Sequence, residues 1–182
     1  MTDTTKACYV NVIEAVTRAT SAAAIDSTAK LSWNPDRIKG SGFSREERLA
    51  IDVMVHARLH HALDPALWDA LMARYSSSTE SKAASLQRLL PEIVSPADER
   101  FTRFAAIAWA FPKPKGEGKR STPVLPAIWY DFNHWDEEGR SDTTRRRWNK
   151  TIRAWLDAMV NLGLIEAQHI LDAEGLLVDR AA

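Results

Sequence analysis

From Asp142 to Gly163 the chain reads DTTRRRWNKTIRAWLDAMVNLG, with apolar residues recurring at helical spacing. At 100° per residue, Trp148, Ile152, Trp155, Leu156 and Met159 fall within a sector about 100° wide, the stripe of a core-facing helix. Strand alternation does not produce such a pattern, so the chain is committed to packing other helices around this one. Asp142 is expected as the N-cap and Gly163 as the left-handed residue that ends the helix. Arg146, Lys150 and Arg153 gather on the opposite side, giving one apolar and one cationic face.

The cationic face opposes the helix that carries it. Like charges at i,i+3 and i,i+4 repel by roughly 0.2–0.5 kcal/mol per pair, and bases in a first turn oppose the positive end of the helix dipole. Two readings fit. One is a solvated face, relieved by pairs from Asp142 to Arg146 and from Arg153 to Asp157. The other is a surface for an external polyanion, such as the phosphates of a nucleic acid.

Acids and bases cancel, with 24 of each, so net charge does not point to a partner. Their distribution is more informative. Residues 1–112 carry 13 bases and 13 acids, residues 113–153 carry 10 and 6, and residues 154–182 carry 1 and 5. A basic block followed by an acidic tail can accompany polyanion binding. The single Cys8 excludes an internal disulfide and a multi-cysteine zinc site. No basic start with an apolar run marks a signal peptide. No apolar run reaches the roughly 20 residues of a membrane span. A cytoplasmic protein with no membrane partner is expected.

Other helices follow from local signals. Tyr9, Val12, Ile13 and Val16 begin one that continues to about Leu31. Ser44 and Glu47 form a capping box for the next, with Ile51, Val55, Leu59 and Ala62 inward. Asp64-Pro65 opens PALWDALMARY, which the run Ser76 to Thr79 breaks. A helix over about 80–90 faces Ala83, Leu86 and Leu90 inward, and Ser95-Pro96 starts another that reaches Phe111. The segment PKPKGEGKRSTPVLP forms a long basic loop with Lys113, Lys115, Lys119 and Arg120 close together. A short extended piece or one helical turn follows at VLPAIWYDF. A last helix is expected over 165–173, and GLLV (175–178) as an edge strand or tail packing. The expected fold is mainly α: a compact multi-helix domain over 1–182 with a helix-turn-helix-like pair and a long basic loop. Its parts are an N-terminal helical lobe over 1–62, the loop over 112–127 and a helical part over 128–182.

In a helix-turn-helix, the second helix presents polar side chains to the major groove. Across 65–75 and 80–90 those side chains are Ser81, Lys82, Ser85 and Arg88, suited to base edges and phosphates. A plain helical hairpin fits the same pattern. His56 and His60 have the i,i+4 spacing of two metal ligands, but lack the acid of an HExxH motif. Asp131, Asp136, Glu137 and Glu138 beside His134 have the residue types of a metal or acid–base site, but solubilising a Trp-rich turn and capping the next helix are sufficient reasons for them. No nucleophile elbow, phosphate cradle or metal triad is present, so neither an enzyme nor a cofactor is expected. Trp129, Tyr130, Phe132 and Trp135 suit either core packing or stacking on unpaired bases.

The phrases PALWDALMARYS (65–76), LP-x-x-WYDFNHWD (125–136), TRRRWNKTIRAWLDAMV (144–160) and A-x-x-IL-x-AEGLL (167–177) are together similar to phage and prophage late-gene antitermination (Q-type) proteins. The resemblance covers roughly residues 55–177. It implies a protein that binds duplex DNA near a phage late promoter. Such a protein then joins paused bacterial RNA polymerase, so that terminators are ignored. Some Q-type proteins hold zinc through several cysteines, whereas this chain has only Cys8, and no functional residue transfers by motif. The expected DNA contacts are therefore those read from charge: the 80–90 helix, the 113–120 loop and the 146–153 face. A phage factor that docks its basic face on an acidic host protein remains an alternative. So does an accessory protein of DNA packaging or replication.

Overall fold

The computed structural model describes residues 7–22, 43–113 and 124–178. The helices are α1 (Val12–Ala22), α2 (Arg45–Ala62), α3 (Pro65–Tyr75), α4 (Thr79–Leu89), α5 (Glu99–Ala110), the single-turn α6 (Phe132–Trp135) and α7 (Asp142–Ala173). Short 3-10 turns lie at Leu90–Glu92 and Ala127–Tyr130. The fold is mainly α, as expected. Among the described residues the single β element is an isolated parallel bridge between Tyr9 and Leu177. It settles the GLLV stretch as tail packing: the Leu176 carbonyl accepts from Cys8 and Tyr9 N–H, and Val178 N–H donates back to Tyr9.

Local chemistry sets most of the boundaries. The Ser44/Glu47 capping box opens α2, and Asp64 with Pro65 at the first helical position opens α3. Ser78 accepts from Ser81 N–H to start α4. Asp98, rather than Ser95, caps α5; the Ser95 hydroxyl instead closes a tight turn by accepting from Ala97 N–H. The continuation of the first helix past Ala22 lies outside the described residues, as does most of the basic loop.

The largest departure from expectation is the length of α7. Gly163 does not end it: the helix runs unbroken for 32 residues and absorbs the separate helix expected over 165–173. Its N-cap is Ser141, one residue before Asp142, whose carboxylate accepts from Arg145 instead of pairing with Arg146. Gly163 is present for closeness. A Cβ there would stand 3.1 Å from Leu71 Cγ and 3.3 Å from the Leu67 carbonyl oxygen on α3. A glycine inside a helix costs up to about 1 kcal/mol relative to alanine. The packing of α7 against α3 outweighs that cost.

Helix α7 also packs against α1 and α5. Phe101 meets Trp148, and eight residues further along α5 the Trp109 indole N–H donates to Asp157 at 2.7 Å. The two helices therefore run parallel. Asp157 is thereby taken from the expected pairing with Arg153. Phe101, fully buried, also touches Trp135 edge-on and Phe132. The aromatic phrase 129–135 seals the core: Trp135 is buried and donates to the Trp129 carbonyl, while Tyr130 donates to Phe111. Trp155, expected mid-core, is only half-buried at the edge of the stripe.

A buried polar cluster joins the first described segment to α2. Tyr9 Oη donates to Asp52 Oδ1 at 2.8 Å, and Arg18 donates to Asp52 Oδ2 through Nε (3.2 Å) and a terminal nitrogen (3.0 Å). Burial raises the Asp52 carboxyl above its ordinary value despite the Arg18 hydrogen bonds. Burial, with the Asp52 charge adding to it, raises the Tyr9 phenol above the ordinary tyrosine value. As pH passes the unfolded phenol value near 10, the unfolded chain therefore loses a proton that the folded chain retains. Stability that is present below that pH is lost as pH rises through it. Urea midpoints measured from pH 8 to 11 should fall less steeply for Tyr9→Phe than for the wild type; parallel curves would count against this coupling.

Candidate nucleic-acid interface

Helix α4 does not stand clear of the fold as a reading head. Lys82, early in α4, meets the end of α3, and Arg88, late in α4, meets its middle. The two helices therefore run antiparallel as a hairpin. Ser85, expected outward, is buried. The Arg88 guanidinium grips Asp69 (Nε to Oδ2, 2.9 Å) and also donates to the Ser85 hydroxyl. The hydrogen bond from Arg88 to Asp69 raises the guanidinium's pKa further. Lys82, half-buried, donates to the Arg74 carbonyl at 3.1 Å and the Ala110 carbonyl at 3.2 Å, so one ammonium satisfies the ends of α3 and α5. Burial lowers its pKa. Ser81 is half-buried behind the helix cap. The inward face is set by Leu86 and Leu89, while Ala83 is exposed and Leu90 half-buried. Ser85 is turned inward and Ser81 and Lys82 are half-buried, which corrects their expected outward orientation; Arg88 is exposed as expected, but its guanidinium is engaged by Asp69.

The acids around His134 are structural as well. Asp131 caps α6, and buried Asp136 accepts the N–H groups of Glu138 (3.1 Å) and Arg140 (2.6 Å). Arg145, the first of the three consecutive arginines, folds back into this turn with its side chain 11 % exposed and donates to Asn133 and Asp142. His56 and His60 lie against Trp68, with ring centroids 5.0 and 5.5 Å away, and His56 Nδ1 is 3.0 Å from the Ala19 carbonyl oxygen. A concavity of about 730 Å³ outside α5 is lined by Arg100, Arg103, Phe104 and Trp129. Its arginines are already paired with Glu137 and Glu99.

What remains is the cationic face of α7. Arg146, Arg147, Lys150 and Arg153 are all exposed. Arg146, Lys150 and Arg153 lie within about 60° of one another over two turns, a row about 10 Å long. None has a carboxylate within ion-pair distance among the described residues. Arg153 Nε has only the Asn149 side chain, at 3.3 Å. Elsewhere Arg18, Arg58, Arg88, Arg100, Arg103, Arg140 and Arg145 all meet acids.

Comparison with family models, with curated proteins and with solved structures finds no match to this chain. The reading of the face therefore rests on its own chemistry. Lys113 is exposed just beyond α5, whose parallel course puts it past Asp157 and away from Arg146. Lys115, Lys119 and Arg120 lie outside the described residues. Arg147 was missed as a surface residue of interest; its place on the wheel about 60° beyond Lys150, on the flank away from Arg153, was the available signal.

Proposed function

We propose that this chain is a helical regulator, without enzymatic activity, that binds duplex DNA through its phosphates along α7. Following its resemblance to Q-type proteins, it acts in transcription antitermination together with RNA polymerase. The observation that carries the DNA reading is the unpaired row Arg146, Lys150, Arg153 on a surface where most arginines have found acids. A helix shaped by folding alone gains by interleaving acids with such a row. Here the repulsion stands uncompensated, and a row of phosphates would relieve it. Phosphate contacts of this kind give sequence-independent affinity that falls with salt. Because Ser85 and Arg88 serve the hairpin, sequence preference is not assigned to α4.

The test is binding of the full chain to several duplexes across a salt series. Arg146→Glu with Lys150→Glu should weaken binding to every duplex alike and reduce the log–log salt slope by about two, one for each phosphate that the variant no longer neutralises. Helical content should persist, because both side chains are exposed and away from the buried stripe. Unchanged binding by the folded double variant would overturn this reading of the face.

A further inference from the structure

Helix α7 has a third face. Thr151, Trp155, Ala158, Leu162, Ile165 and His169 follow one another at steps of four, three, four, three and four residues. Alternating steps of four and three repeat every seven residues, the spacing of a coiled-coil seam. The strip points about 130° away from both the buried stripe and the cationic row. Trp155 is half-buried and the others are exposed, with Leu162 at 51 % and Ile165 at 53 %. The Thr151 hydroxyl is already satisfied by the Arg147 carbonyl, so the seam brings no unmatched hydroxyl to an interface.

The order of sizes identifies the occupant. Against itself in the parallel sense, the strip would set Trp155 on Trp155 and Ala158 on Ala158, crowding one layer and leaving a gap in the next. Run antiparallel about its middle, it sets Ala158 against Leu162, small against large, and Trp155 against Ile165, so that neither Trp155 nor Ala158 meets itself. The charges agree. Arg147 flanks one end and Asp172 the other, both exposed, and neither is in an ion pair among the described residues. The antiparallel arrangement brings Arg147 of each copy beside Asp172 of the other, whereas the parallel one leaves these opposite charges at opposite ends of the seam.

We infer that two copies of this chain pair through an antiparallel α7–α7 seam centred between Ala158 and Leu162, as a two-fold dimer. The inference is independent of DNA binding and leaves the Arg146, Lys150, Arg153 row open. Sedimentation equilibrium over a range of concentrations tests it, with helical content checked by circular dichroism. The wild-type chain should approach twice its 20.4 kDa mass. Leu162→Glu should abolish association without loss of helix. Arg147→Asp should weaken it about fivefold, and Arg147→Asp with Asp172→Arg should recover it, as a reciprocal rim pair requires. A monomer at every concentration, or a dimer indifferent to Leu162→Glu, would overturn the proposal. A dimer that the charge swap fails to rescue would overturn its antiparallel register.

Discussion

The Phe101→Ala variant is expected to unfold about 3–5 kcal/mol more easily than the parent chain, the usual range for removing a buried aromatic ring. For a chain of this length that corresponds to a thermal midpoint lower by on the order of 10 °C. The expectation rests on where the ring sits. Phe101 has no exposed surface and contacts Phe132, Trp135 and Trp148. It therefore joins α5, α6 and the start of α7. The neighbours are rigid rings with little freedom to fill the void. Chemical denaturation read by tryptophan emission and by circular dichroism measures the effect. A loss below about 1 kcal/mol would mean that these rings do not form one packed unit.

Asp52→Ala should cost a similar amount for an electrostatic reason. Removing one partner of a buried ion pair typically costs about 3–5 kcal/mol, because the other partner stays desolvated. Asp52 accepts from Arg18 and from Tyr9, and the side chains of Arg18 and Asp52 are only 9 % and 11 % exposed. The Tyr9→Phe variant removes a single neutral donor and should cost about 1 kcal/mol. The ordering of the two variants in urea is the decisive measurement. Equal midpoints would show that the carboxylate contributes through the phenol alone.

Sequence made some features plain and hid others for a definable reason. The Ser44/Glu47 box and the Asp64-Pro65 start were legible because both partners of each contact lie within a turn. Gly163 was misread because its partners, Leu67 and Leu71, are about ninety residues away. A glycine that ends a helix and one that lets two helices touch look alike in one dimension. The face of α4 was misassigned for a related reason. TESKAASLQRLL offers several weak stripes, and the one used is decided by α3. A signal was available: Asp69 sits in the otherwise apolar DAL of α3 and requires a cation, which Arg88 supplies. The cationic row was legible because it needs no partner in the chain. The mainly α fold was legible from the strength of the 3.6-residue period.

The unbroken course of α7 has a consequence for how such a chain can change. One continuous screw carries three surfaces at fixed angular offsets, with Trp148, Ile152 and Leu156 inward, Arg146 and Lys150 on one flank, and Ala158 and Leu162 on the other. A substitution alters one surface and spares the other two. A single inserted or deleted residue turns everything beyond it by about 100°, so Gly163 would leave Leu71 and the outer flank would rotate toward the core. The gene region for this helix should accept changes of letter far more readily than changes of length.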